Sequence, residues 1–114
     1  MIVMNARDQI RELQAFFDLS EAKLGQVLGV RERTIGQWRS GGLAPQGVDR
    51  LELERILAVK DLLVDRYKSV DKAREWLNAP TMAFGGPTPL KILLSRSVSD
   101  VLGYLEMPDE AVYS

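Results

Sequence analysis

Residues 20–39, with the sequence SEAKLGQVLGVRERTIGQWR, constrain the fold more than any other part of this chain. They predict two short helices joined by a tight turn. Ser20 is a suitable N-cap, because its hydroxyl can accept a hydrogen bond from an unpaired amide of the first turn. Gly29 stands where a left-handed residue ends a helix without a steric penalty. The second helix directs Ile35 and Trp38 inward, which leaves its other face free to bind a partner.

The spacing of small residues in this stretch is typical of a DNA-binding helix-turn-helix. The two helices of that motif cross closely, which calls for a small residue at Gly25. The turn between them is sharp, which calls for Gly29, with Val30 beneath it. An ordinary antiparallel helix pair with a glycine turn is the alternative, because short motifs overpredict.

The outer face of the second helix carries side chains suited to a DNA major groove. Arg33 and Gln37 lie one turn apart and are expected to reach base edges, while Glu32 can accept from a cytosine amine. Further residues are expected to hold phosphates, namely Arg31, Thr34, Arg39 and Ser40.

A first resemblance follows from these positions. The pattern resembles the Xre (Cro/repressor-like) helix-turn-helix family, and the matching residues are Leu24, Leu28, Gly29, Val30, Thr34, Ile35 and Trp38. Gly25 departs from that family, which usually has Ala there. Arg31 departs as well, because a capping Ser is common at that position, so we expect a weakly capped second helix.

Composition limits the possible functions. The chain has 114 residues with no Cys and no His, which removes a Cys nucleophile, a Ser–His pair and a His/Cys zinc site. We therefore expect no enzyme activity and no cofactor. No apolar run is long enough for a bilayer and no signal-peptide pattern is present, so we expect a cytoplasmic protein without membrane contact. A net charge of −1 is unusual for a DNA-binding protein and favours a homodimer, in which two copies share a two-fold operator.

The remainder of the chain reads as all-α. A first helix spans residues 5–18 and is capped by Asn5. Residues 48–67 form a long helix with too many apolar residues for one stripe. Its second side is expected to pack against another subunit or the C-terminal segment, and a central helix buried on most sides of a monomer is the alternative. The predicted regions are 1–47 for DNA binding, 48–68 for a central or dimerisation helix and 69–114 for a helical domain with a tail.

A second motif lies in the C-terminal part. It resembles the toxin-binding domain of Xre/MbcA/ParS-type antitoxins, over residues 70–105, at Ala73, Trp76, Leu77, Pro80, Phe84, Gly85, Gly86, Pro89, Leu90 and Leu93. Trp76 itself is expected to be a core residue. This chain departs from the family at Phe84, where Leu is common, and at residues 95–97, where a glycine is common. Both motifs in this order are more specific than either alone.

The resemblance implies an antitoxin of a type II toxin–antitoxin module. Such proteins bind a RES-domain toxin that degrades NAD or transfers ADP-ribose, and they repress their own operon. The resemblance and the tail chemistry place toxin binding at Phe84, Gly85, Gly86, Glu106, Asp109, Glu110, Ala111, Val112, Tyr113 and Ser114. The acidic residues can meet the basic groups of a dinucleotide pocket, and Tyr113 can anchor an apolar plug. A frayed terminus with incidental acids is the alternative.

Two other functions stay open from the sequence. One is a stand-alone dimeric helix-turn-helix transcription regulator with no toxin partner, which the apolar helix 48–67 favours. The other is a helical adaptor that binds only protein, which the near-neutral charge and Glu32 favour.

Overall fold

The structure, a computed structural model, describes residues 5–107. Over this range the chain forms seven α-helices and one short 3-10 helix, with no strand. The α-helices are α1 (Ala6–Phe17), α2 (Glu21–Leu28), α3 (Glu32–Ser40), α4 (Gly47–Tyr67), α5 (Val70–Leu77), α6 (Pro89–Leu94) and α7 (Val98–Glu106), and the 3-10 helix is Met82–Phe84. The predicted all-α class is confirmed.

Side-chain caps fix where several helices begin. The amide of Asp8 donates to Asn5 Oδ1 at 2.9 Å, and the amide of Lys23 donates to Ser20 Oγ at 3.1 Å. Thr88 Oγ1 accepts from the amide of Lys91 at 3.1 Å and is followed by Pro89 at the first helical position. The starts at Asn5 and Ser20 agree with the caps predicted from the local sequence.

Helix α4 is the centre of the fold. It packs against α1, α2, α5 and α7, and α7 is its most extensive neighbour. Its fully buried apolar residues are Leu53, Ile56, Val59 and Leu63. The excess of apolar residues is therefore explained largely by the C-terminal helices α5 and α7, which cover a second side of α4. Val48, Leu51 and Val64 remain exposed.

One continuous apolar core joins all seven α-helices. Polar contacts between residues that are far apart in the sequence add to this core. Arg74 of α5 donates to the carbonyl of Phe16 at 3.1 Å, which satisfies a free acceptor at the end of α1. Gln26 of α2 donates to the carbonyl of Leu94 at 3.1 Å, and Lys60 of α4 forms an ion pair with Glu12. The candidate sites at the two ends of the sequence thus belong to one packed unit.

None of the helices in residues 5–107 combines the length and the apolar character needed to cross a membrane.

Candidate functional site

The turn between α2 and α3 is as tight as the glycines predict. The amide of Val30 donates to the carbonyl of Gly25 at 2.9 Å, and Gly29 adopts the left-handed conformation with φ 74°. A Cβ atom on Gly25 would lie 2.7 Å from the Val30 carbonyl oxygen. Position 25 therefore has room only for glycine as the backbone stands.

The guanidinium of Arg96 lies over this turn. A Cβ on Gly29 would come within 2.6 Å of Arg96 Nη2, so the Arg96 side chain lies directly against the end of α2. Arg96 itself has φ 64°, a left-handed conformation that glycine adopts more easily. Arg96 belongs to the segment 95–97, where the resembled family commonly has a glycine. A glycine at position 96 would adopt the observed left-handed conformation more easily than arginine does.

The outer surface of α3 carries the residues predicted to bind DNA. Ile35 and Trp38 are buried, and the side chains of Arg31, Glu32, Arg33, Arg39 and Ser40 are exposed, with Thr34 and Gln37 partly exposed. Arg31 occupies the N-cap position without a side-chain capping bond, as its sequence predicts. The structure therefore brings all seven predicted residues to one helix and its cap.

Two of these residues already have partners within the chain. Arg39 Nη1 lies 3.1 Å from Glu21 Oε1, in an exposed ion pair between α3 and α2. The hydroxyl of Ser40 donates to the carbonyl of Gln37 at 3.1 Å. Glu21 was missed by the sequence analysis, because only the crossing of the two helices brings it beside Arg39.

A second candidate surface is a groove between the 3-10 helix, α6 and α7. It has a volume of about 440 Å³ and is lined by Ala83, Phe84, Ile92, Asp100, Tyr104 and Met107. Phe84 was predicted to bind a partner, whereas the other five residues were not. The spacing of Asp100 and Tyr104 by four residues could have revealed them as a second face of α7, whose C-cap is Met107.

An aromatic cluster forms one side of this groove. Trp76 stacks on Tyr104 with ring centroids 5.9 Å apart, and Phe84 lies 5.3 Å from Tyr104. Trp76 is only partly buried, so its prediction as a core residue needs correction. It packs at the edge of the core, where the rings of Phe84 and Tyr104, themselves only partly buried, cover its other side.

The glycine pair after Phe84 makes a turn. Gly85 and Gly86 have φ 81° and 111°, and a Cβ added to either would meet nothing within 4 Å. The backbone conformation therefore explains both glycines, and their surroundings stay open to a partner. Glu106 is exposed as the last residue of α7. The remaining residues predicted to bind the toxin lie outside the described range, namely Asp109, Glu110, Ala111, Val112, Tyr113 and Ser114.

Both surfaces carry groups that are suited to binding. Within residues 5–107, no three or more side chains of the types that bind metals lie together. The α3 surface offers guanidinium and amide donors, and the groove offers aromatic and aliphatic contacts beside one carboxylate.

Comparison with known proteins finds similarity both in sequence and in fold. No family model matches the chain. The chain is 26% identical over 99 residues to a probable mycobacterial cidal antitoxin of Mycobacterium tuberculosis, covering 85% of this chain and 82% of the relative. Its fold is similar to that of a chain in the crystal structure of the M. tuberculosis MbcT–MbcA toxin–antitoxin complex. The TM-score is 0.67 with 19% identity, over 98% of this chain and 100% of the other.

The chain is thus similar in sequence to an antitoxin along most of its length, and similar in fold to a chain of a toxin–antitoxin complex. The resemblance to MbcA-type antitoxins that its two motifs predict is confirmed.

Proposed function

We propose that this protein neutralises a toxin encoded beside it and represses the operon that encodes both. The similarity to an antitoxin along most of the sequence carries the first half of this proposal. The exposed polar face of α3, next to a tight interhelical turn, supports the second half.

Toxin binding is proposed to use the groove and the tail that follows it. Aromatic residues and Met are enriched at the centres of protein interfaces, and Phe84, Tyr104 and Met107 supply them here. Met107 is 41% exposed and is the last described residue, so the tail begins at the edge of the groove. A partner's apolar side chain fits this space, and a neighbouring cation can pair with Asp100.

The toxin is proposed to be a RES-domain protein that acts on NAD. The motif resemblance and the acidic, aromatic tail support this assignment, because a pocket for a dinucleotide offers cations to Glu106, Asp109 and Glu110. Tyr113 would then serve as the anchor that excludes NAD.

A co-expression experiment tests the toxin half. The neighbouring gene is expressed in bacteria alone and with this chain, and cellular NAD is followed over time. NAD should fall without the antitoxin and hold with it. A harmless neighbour and a flat NAD level in both cultures would instead favour the stand-alone dimeric transcription regulator.

Two variants then test separately whether the groove and the tail contribute to toxin binding. Met107→Glu places a charge in the groove and should weaken toxin capture by at least about tenfold, or about 1.4 kcal/mol. Val70→Glu is its control, because Val70 is 44% exposed and lies on α5, outside the groove. Deletion of residues 108–114 leaves every described helix intact. Full neutralisation by that truncated chain would rule out the tail as the plug.

DNA binding is proposed to use α3 from two copies of the chain. Arg33 and Gln37 would read bases, and Arg31, Thr34 and Ser40 would position the phosphates, while Arg39 lies on the same helix but is paired with Glu21. Val48 and Leu51 lie one turn apart on α4 and are exposed, so they are available to a second subunit. A gel shift with the upstream region of the gene tests this half, and no shift at low salt would favour the protein-only adaptor.

A further inference from the structure

The contact between Glu21 and Arg39 stands out on the α3 surface. It joins the first residue of α2 to the last turn of α3, with the Nη1 and Oε1 atoms 3.1 Å apart. The side chains are 29% and 48% exposed, respectively. An ion pair this exposed contributes little to stability, so the fold alone does not explain it.

Gly36 makes room for the carboxylate. A Cβ on Gly36 would lie 3.3 Å from Glu21 Oε2, which is tighter than nine in ten contacts of a real Cβ atom. Glycine inside a helix is unfavourable relative to alanine. Its presence in the middle of α3 allows Glu21 to lie flat against the helix and reach Arg39.

The carboxylate therefore occupies the face of α3 that was assigned to DNA. Arg33, Gly36 and Arg39 follow one another at intervals of three residues and form one row along the helix. Glu21 lies over the middle of that row. A negative charge there repels phosphates and also neutralises the one basic residue in the last turn of α3.

We propose that Glu21 suppresses phosphate binding by Arg39 and so sets how strongly this protein holds DNA of any sequence. Arg39 is held by the carboxylate in the free protein, and the phosphate contacts of the remaining residues carry the salt-dependent part of binding. This inference rests on the proposed DNA-binding function. It gives Glu21 the role of limiting the affinity of the protein for DNA of any sequence.

A simpler explanation makes a different prediction. Glu21 lies at the start of one helix and Arg39 at the end of another, and both positions are favourable for the helix dipoles. If the dipoles alone account for the two residues, substitutions change stability and leave the number of phosphate contacts unchanged. The salt dependence of DNA binding separates the two explanations, because its slope counts the phosphates neutralised.

The experiment measures binding to the upstream duplex and to an unrelated duplex of equal length, over a series of salt concentrations. Glu21→Gln should tighten binding to both duplexes at low salt. It should also steepen the slope of log K against log salt by about 0.9 for each bound protomer. Arg39→Gln alone should leave the slope unchanged, and Arg39→Gln added to Glu21→Gln should return it to the wild-type value.

Glu54→Gln is the matched control. It removes the same charge from an exposed ion pair with Arg50 on α4, where the two side chains lie 3.2 Å apart. An equal change of slope in this variant would attribute the effect to net charge and overturn the proposal. A slope reduced by about 0.9 in the single variant Arg39→Gln would also overturn it, because Arg39 would already contact a phosphate.

The outcomes separate this inference from the proposed function. If the wild-type protein binds DNA and Glu21→Gln leaves the slope unchanged, the inference fails and the DNA-binding function stands. If neither protein binds any duplex at low salt, the DNA-binding function fails and the inference fails with it.

Discussion

At the scale of single residues, the turn between α2 and α3 depends on the absence of a side chain at position 25. Gly25→Ala should lower the free energy of unfolding by about 1–2 kcal/mol. The added methyl group would meet the Val30 carbonyl oxygen at 2.7 Å, and the cost of overpacking exceeds the gain in helix propensity. Urea unfolding followed by tryptophan fluorescence measures the change.

Gly103→Ala is the matched control for that substitution. Gly103 lies in α7, is exposed, and has nothing within 4 Å of the position where its Cβ would be. Alanine there should stabilise the protein by about 0.5–1 kcal/mol, because only the helix propensity changes. Stabilisation of equal size in both variants would mean that the turn relaxes freely and that Gly25 is not required.

Arg33 gives the prediction that bears on DNA specificity. Arg33→Ala should cost about 1–3 kcal/mol in operator binding and relax the preference for one base pair, because its exposed side chain is proposed to read a base edge. Fluorescence anisotropy with the upstream duplex and with single-base variants of it tests this. Equal losses on the upstream duplex and on random DNA would show that Arg33 holds a phosphate instead.

Some of these residue roles can be predicted from the sequence, and others cannot. Gly29 and the caps at Asn5 and Ser20 follow from neighbouring residues, and the sequence predicts them. The pair of Glu21 and Arg39 depends on how two helices cross, and no local pattern brings these residues together.

At the scale of the elements, α4 tests the homodimer. Leu51→Glu should weaken self-association by at least about tenfold, because a charge would be buried in the proposed interface. Leu51 is 46% exposed and lies one turn from the exposed Val48. Light scattering coupled to gel filtration, over a range of protein concentrations, gives the mass.

Val64→Glu is the control on the same helix. Val64 is 45% exposed and lies near the other end of α4. If Val64→Glu dissociates the dimer and Leu51→Glu does not, the interface lies at the C-terminal end of α4 and not at Val48 and Leu51. A wild-type protein that stays monomeric at all concentrations would contradict the homodimer itself.

The elements also show where prediction from sequence stops. The helices follow from periodicity, caps and breakers, which are local, so their order and approximate bounds are predictable. The groove is formed where the 3-10 helix, α6 and α7 meet, and local spacing can indicate a face of α7 at Asp100 and Tyr104 but not what lies opposite that face. Trp76 was predicted as core for the same reason, since helical spacing indicates an inward face but not what covers it.

At the scale of the whole molecule, the shared core predicts a single cooperative unfolding transition. The two tryptophans of the chain provide separate probes, because Trp38 lies in α3 and Trp76 lies in α5. Single-tryptophan variants, Trp76→Phe and Trp38→Phe, should each give one urea transition with the same midpoint by fluorescence as by far-ultraviolet circular dichroism. A fluorescence midpoint different from the circular dichroism midpoint of the same variant would mean that the halves unfold separately.

The polar contacts between the early and late helices have a consequence for how such proteins evolve. Gln26 donates to the carbonyl of Leu94, and Arg74 donates to that of Phe16, so each half supplies a donor to a carbonyl of the other half. A hybrid made by recombining the first half of one antitoxin with the second half of a distant homologue would lose these matched partners. With the groove as the proposed toxin-binding site, new toxin preferences should therefore arise by point changes around it more readily than by shuffling of gene segments.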